Sequence, residues 1–192
     1  MKRNFVESKI QKPSISSNFI YRRRLVERLK NRDKKLLVLH ATVGYGKTIL
    51  LAHYAEETEE SCAWYHLSDT DNDIAVFLQY ISAAIKRSVA GFGFDSDAYA
   101  PLPQCRETLE GMAYDFVVHL TEVTRGSRQR AVIILDDFQT IINEEIHYFL
   151  QMILDNSPPE IRMLIATKGG LPPFSMRYFV EGRAEIIAQS EL

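Results

Sequence analysis

Apolar positions along the chain fall into two rhythms. KLLVLHA (35–41), CAWYHL (62–67), AVIILDD (131–137), IRMLIATK (161–168) and RAEIIAQ (183–189) are short and mostly apolar on both faces, as strands buried inside a parallel sheet are. Between them the apolar residues recur at helical spacing at Leu25 and Leu29 and at Ile74, Phe77, Leu78, Ile81 and Ile85, and a further helix follows the glycines from Lys47 to about Glu57. Leu109, Met112, Ala113, Phe116, Val117 and Leu120 continue the pattern until RGSRQR (125–130), and Ile146, Phe149, Leu150 and Ile153 repeat it until NSPPE (156–160). SDTDND (68–73) offers Asp71 or Asn72 as a cap for the helix that follows. GFGFDSDAYAPLPQ (91–104) carries two prolines and no helical period, so it reads as a loop. Strands alternating with helices predict an α/β fold whose parallel sheet is covered on both faces. Residues 1–18 read as a polar tail, 19–192 as one domain, without internal repeats.

Composition narrows the function classes. A chain of 192 residues, 46% hydrophobic, has ample material for one core. A net charge of -2 gives no global pull toward nucleic acid or an anionic membrane. The basic run RRRLVERLKNRDKK (22–35), eight cationic residues against Glu27 and Asp33, reads as a solvated helix face or a phosphate-side field. Cys62 and Cys105 lack CxxC spacing and are expected to be reduced. The five histidines show no metal-ligand spacing, so no transition-metal site is expected. No apolar run reaches the ~18 residues of a membrane span, and the N-terminus lacks a leader-like apolar core. A cytoplasmic location without membrane partners is the expectation.

The candidate chemistry lies in ATVGYGKT, Ala41 to Thr48. It compares with the phosphate loop GxxxxGK[ST], having Ala41 in place of the first glycine. Such a loop follows a strand and opens a helix, so the amides of Val43, Gly44, Tyr45, Gly46, Lys47, Thr48 and Ile49 converge on an anion at the positive end of the helix. Lys47 is expected to reach the outer phosphates of ATP or ADP, and Thr48 to ligate Mg²⁺. The second half of such a site is a carboxylate at the tip of another apolar strand. VIILDD supplies Asp136 as the metal partner and Asp137 to orient or deprotonate the attacking water. Aspartate is one methylene shorter than glutamate, which points to slow turnover or none.

HATVGYGKTILLAHYAEE, CAWYHLSDTDNDIAVFLQYISAAI, AVIILDDFQTI and the block from Ile161 to the end, in that order, resemble the nucleotide-binding domain of the large ATP-binding LuxR regulators. These belong to the signal-transduction ATPases called STAND proteins, and the maltose-operon activator is their best-known member. The resemblance implies a three-layer P-loop NTPase sandwich of the ASCE type, with a mostly parallel five-stranded sheet in the order 5-1-4-3-2. In it the strand MLIATK separates the phosphate-loop strand from the Asp136 strand. It further implies a switch in which the ADP form rests and inducer plus ATP allow self-association. Arg22 or Arg24 takes the family's arginine position near the adenine. Departures are Thr42 and Val43 in place of proline and alanine, and Thr167 with Lys168 in place of serine and arginine. Lysine makes no two-pronged phosphate contact, so Lys168 is expected to sense the terminal phosphate weakly. The family continues into winged-helix, sensor and helix-turn-helix regions. The sequence therefore reads as a fragment, a truncated product or a stand-alone module that does not itself contact DNA in the family's manner.

Rival readings remain open. TKGG (167–170) lacks the aspartate with which GTPases read guanine, and Arg177 with Arg183 is thin material for a kinase lid. A non-hydrolysing nucleotide module for protein contacts shares every motif named above. Trp64 and Tyr65 read as sheet-packing residues, His40 as a strand residue, and SDTDND as a solvated cap.

Overall fold

Five strands, β1 (Leu36–His40), β2 (Ser61–His66), β3 (Ala131–Asp136), β4 (Ile161–Thr167) and β5 (Ala184–Ala188), form one sheet in the order β2-β3-β4-β1-β5. The computed structural model describes residues 5–16, 18–99, 105–127 and 129–192. Every pairing is parallel: Val38 lies opposite Ile165 on one side and Ile186 on the other, and Trp64 lies opposite Ile134. β4 separates β1 from β3, as expected, and the sheet is wholly rather than mostly parallel.

Strand alternation divides the aliphatic residues between two layers. Leu37, Leu39, Trp64, Val132, Ile134, Leu164, Ala166 and Ile187 face α1 (Arg23–Lys30) and α2 (Lys47–Glu57). Leu36, Val38, Ala63, Tyr65, Ile133, Leu135, Met163 and Ile165 face a thicker layer. That layer comprises α3 (Ile74–Ser88), α4 (Arg106–Ser127), α5 (Glu144–Asn156) and the short α6 (Ser175–Val180). Trp64 and Tyr65 are thus core residues of opposite layers, 3% and 0% exposed. Under the first layer lies a buried ion pair: Arg162 on β4 donates to Glu60 Oε2 at 2.7 Å, and also to Tyr54 Oη, Leu29 O and Asn31 O.

Several local details differ from the sequence reading. α3 is capped by Asp73, whose Oδ1 accepts from the amides of Ala75 and Val76 at 2.9 and 3.1 Å, and not by Asp71 or Asn72. Asp71 is fully buried, where Lys9 donates to both its oxygens at 2.7 and 2.8 Å. Asn72 bridges to Thr140 O and to the amides of Ile142 and Asn143. The stretch read as a polar tail therefore has a structural partner: a 3-10 turn, Glu7–Ile10, buries Ile10, and Phe5 stacks on Tyr80. In the stretch read as a loop, Phe92 and Phe94 pack edge-on against Phe116. Pro101 and Pro103, on which that reading leaned, lie outside the described residues, as does Arg128. Both cysteines are free; Cys62 is half-buried, which pushes its thiol up to about 12, and Cys105 is exposed.

Candidate functional site

In a parallel sheet all strands point one way, so the loops after β1, β2, β3 and β4 meet along one edge. The loop after β1 runs from Ala41 to Gly46. Ala41, in the first-glycine position, is buried, and its amide donates to Thr167 O of β4 at 3.2 Å; a methyl group fits there. Positive φ angles of 90° at Gly44 and 75° at Gly46 bend the chain back into α2, a conformation that L side chains resist. Val43 and Tyr45 point outward, 75% and 38% exposed. The backbone amides from Val43 to Ile49 donate to no group among the described residues. The first turn of a helix always leaves such donors over, and here the preceding loop adds more.

Lys47 heads α2 yet is only 8% exposed. Its ammonium turns back onto the loop, donating to Ala41 O at 2.7 Å and Thr42 O at 3.0 Å. Burial pushes it below its ordinary pKa, against the pull of the Asp137 and Asp136 carboxylates. Thr48 Oγ1 lies 3.1 and 2.9 Å from the two carboxylate oxygens of Asp136, which is itself 1% exposed. The expected pairing of loop and aspartate is therefore direct.

Asp137 follows at the β3 tip with φ 58° and ψ 41°, the one non-glycine residue with positive φ among those described. Strain of this kind collects at working sites. Gln139 fastens it, donating from Nε2 to Asp137 Oδ1 while its Oε1 accepts the Lys168 amide, both at 2.9 Å. The β3 and β4 tips are thereby joined. Lys168 lies on the same edge, exposed, and its charge adds to the lowering of the Lys47 pKa. His40 Nε2 lies 2.6 Å from Gly169 O and so steadies the same turn from β1.

A cavity of about 260 Å³ opens beside the loop, lined by Phe19, Ile20, Arg22, Gly44, Ile49 and His53 among others. Arg22 spans its wall, donating to Tyr45 O at 2.7 Å. Of the two arginines offered by the sequence, Arg22 is the one on this cavity; Arg24 reaches Glu191 O instead. Besides Gln139, two residues escaped the sequence reading. Gln189, after β5, accepts from both the amide and the hydroxyl of Thr42 at 3.0 Å. His66, at the β2 tip, places Nδ1 3.4 Å from Asp136 Oδ2 and 3.9 Å from Asp137 Oδ2. In the sequence it stood inside the strand read as CAWYHL, with nothing local to bring it beside Asp136, 70 residues on. The Asp136 hydrogen bond holds the imidazole above its ordinary pKa, against partial burial.

The chain is similar in sequence to HTH-type transcriptional regulators named MalT. The Yersinia enterocolitica protein is 26% identical over 172 residues, 89% of this chain, and the Vibrio parahaemolyticus protein 24% identical over 171, 88% of this chain. In both cases the chain spans only 18% of the relative's length. Among solved structures, Cdc6p from Pyrobaculum aerophilum superposes with a TM-score of 0.55 at 16% identity, covering 95% of this chain and 49% of the other. A chain from the structure of Drosophila ORC bound to AT-rich DNA and Cdc6 gives 0.53 at 11%, covering 87% and 53%. These two show a shared fold, the P-loop NTPase α/β sandwich. Residues 29–171 match the family AAA_22, described as an AAA domain, and a match over so much of the sequence, taking in the loop and the strand tips above, makes this chain a member of that family.

Proposed function

We propose that the chain is the ATP- and ADP-binding domain of a MalT-like transcriptional regulator, working as a switch with slow hydrolysis. The supporting observation is the meeting of three features on one sheet edge: uncommitted amides from Val43 to Ile49, the Lys47 ammonium, and Thr48 bonded to a buried Asp136. Amides and ammonium together are the complement of a polyphosphate. The residues present suit Mg²⁺, with Thr48 and Asp136 supplying two hard oxygens, and the ion would offset charge on the outer phosphates.

On this reading Lys47 leaves the Ala41 and Thr42 carbonyls to meet the outer phosphates, gaining an anionic partner for two neutral ones. The base takes the cavity beside Arg22, whose lining by Phe19, Ile20 and Ile49 suits an aromatic ring. Asp137, clamped by Gln139, faces the terminal phosphate and orients water. Its short side chain and its tie to Gln139 keep turnover slow. Lys168 stands at the tip of β4 as a single-pronged sensor of that phosphate. The absence of a carboxylate in TKGG favours adenine over guanine. A cytoplasmic setting and self-association of nucleotide domains belong to the same reading; among the described residues no helix is long and apolar enough to cross a membrane.

Titration with ATP and ADP, with and without Mg²⁺, tests it. Saturable binding of both is expected, and Lys47→Ala should weaken it by roughly tenfold to a hundredfold, the worth of a charge-assisted hydrogen bond. Absence of saturable binding by the wild-type chain would overturn the reading. Binding without phosphate release would assign the site to a non-hydrolysing interaction module instead, an alternative favoured by the constrained Asp137.

A further inference from the structure

We propose that the tips of β2 and β3 form a site for a divalent transition-metal ion, with donors from His66, Asp136 and Asp137, that takes Mn²⁺ ahead of Mg²⁺. The inference deepens the nucleotide reading, because Asp136 belongs to both, but it stands on the metal donors alone.

One donor atom from each of the three residues lies within 4.8 Å of the other two. The parallel register places His66 directly opposite Asp136, so two adjacent strand ends hold the imidazole and the buried carboxylate side by side. Ligands bound to one ion at about 2.1 Å stand roughly 3 Å apart, and closing the present gaps of 3.4 and 3.9 Å is within side-chain rotation. The His66–Asp136 contact is a long hydrogen bond, 3.4 Å against an optimum near 2.9 Å, so a cation entering between the two groups displaces little.

Charge points the same way. Two adjacent carboxylates, one of them buried, have no lysine or arginine in ion-pair contact among the described residues; Lys47 spends its hydrogen bonds on carbonyls. A cation between them removes that imbalance. Asp136 is the anchored donor, since Thr48 fixes both its oxygens. The side chains of His66 and Asp137, 48% and 39% exposed, leave the ion open to solvent and its remaining positions free for water or a phosphate oxygen.

Donor chemistry sets the preference. Mg²⁺ favours all-oxygen octahedra, whereas an imidazole nitrogen raises affinity for later first-row ions. The sequence, whose histidines are scattered, gives no hint of this, because the three donors assemble from two strands 70 residues apart.

The test uses the full chain without nucleotide and MnCl₂ as probe, following loss of the free-Mn²⁺ electron paramagnetic resonance signal. One Mn²⁺ per chain is expected, resistant to an equal concentration of MgCl₂. His66→Ala should weaken it by roughly tenfold or more, while His119→Ala on α4 leaves it unchanged. His66→Asp keeps a donor but hardens it, so Mg²⁺ should now compete on nearly equal terms. Unaltered Mn²⁺ binding in His66→Ala, displacement by equimolar Mg²⁺ in the wild type, or no Mn²⁺ binding at all would each overturn the proposal. ATP titrations of the same variants keep the readings apart: retained ATP binding beside absent Mn²⁺ binding refutes this site and leaves the nucleotide reading standing.

Discussion

Lys47 and Lys35 are both lysines withdrawn from water, yet they differ in what they can gain. Lys47 has carbonyl partners that a polyphosphate outbids, and its lowered proton affinity reflects waiting rather than rest. Lys35, at the opposite end of β1, is pushed down to about 8 from 10.5 by burial, with the Arg183 charge adding to the effect, and donates to Ser157 O. Here the folded chain sheds its proton before the unfolded chain does. Between about pH 8 and 10.5 the unfolded state therefore holds the extra proton, and Lys35 makes stability rise with pH across that window. Urea midpoints near pH 8 and pH 10 should reveal the rise, and the difference between wild type and Lys35→Met should carry it. A difference independent of pH would show that Lys35 is solvated in the fold. At the nucleotide edge, Asp136→Asn should leave the fold intact, since Thr48 still has an acceptor. It should nonetheless abolish the Mg²⁺ dependence of ATP affinity, as read by titration.

At the level of elements, the Arg162–Glu60 pair joins β4, the turn before β2 and the ends of α1 and α2 in a layer otherwise apolar. Arg162→Met leaves the buried Glu60 carboxylate with Tyr54 Oη and the exposed Arg32 at 3.6 Å, and should cost about 3 kcal/mol in urea unfolding, the low end for a broken buried pair. The double variant with Glu60→Met should recover much of that loss, and an additive double mutant would contradict the coupling. All five strands and five of the six helices were legible in the sequence: the strands as short apolar runs, α2 from its place after the glycines, and the other helices from apolar residues at helical spacing. The phosphate loop was legible from the apolar strand before it together with its glycines. α6 was not: Pro172, Pro173 and two glycines precede it, and six residues are too few to display a period. The cap of α3 was misplaced because Lys9, 62 residues away, draws Asp71 into the interior, and no local pattern carries that contact. Gln139 and His66 escaped for a related reason, since their roles arise only when neighbouring strand tips come together.

Over the whole molecule, the order β2-β3-β4-β1-β5 brings four strand tips to one edge, so ligand binding there braces the sheet rather than a single loop. With ATP and Mg²⁺ at about a hundred times Kd, stability should rise by about 2.7 kcal/mol, or roughly 5–10 °C in Tm for a chain of this size. Lys47→Ala, with its tenfold to hundredfold weaker binding, should cut the gain to about 0.4–1.4 kcal/mol under the same conditions, and an equal shift would mean that the nucleotide binds elsewhere. The grip of Gln189 on Thr42 extends the edge to the final turn of the described chain. Arg28 of α1 holds Glu185 of β5 and Glu191 of that same turn. Gln189 thus ties the residue just before the free amides to the final turn, which Arg24 and Arg28 also hold through Glu191. A loop that shifted on being filled would pull on the last residues of the described chain through Gln189, while the sheet beneath it stayed as it is.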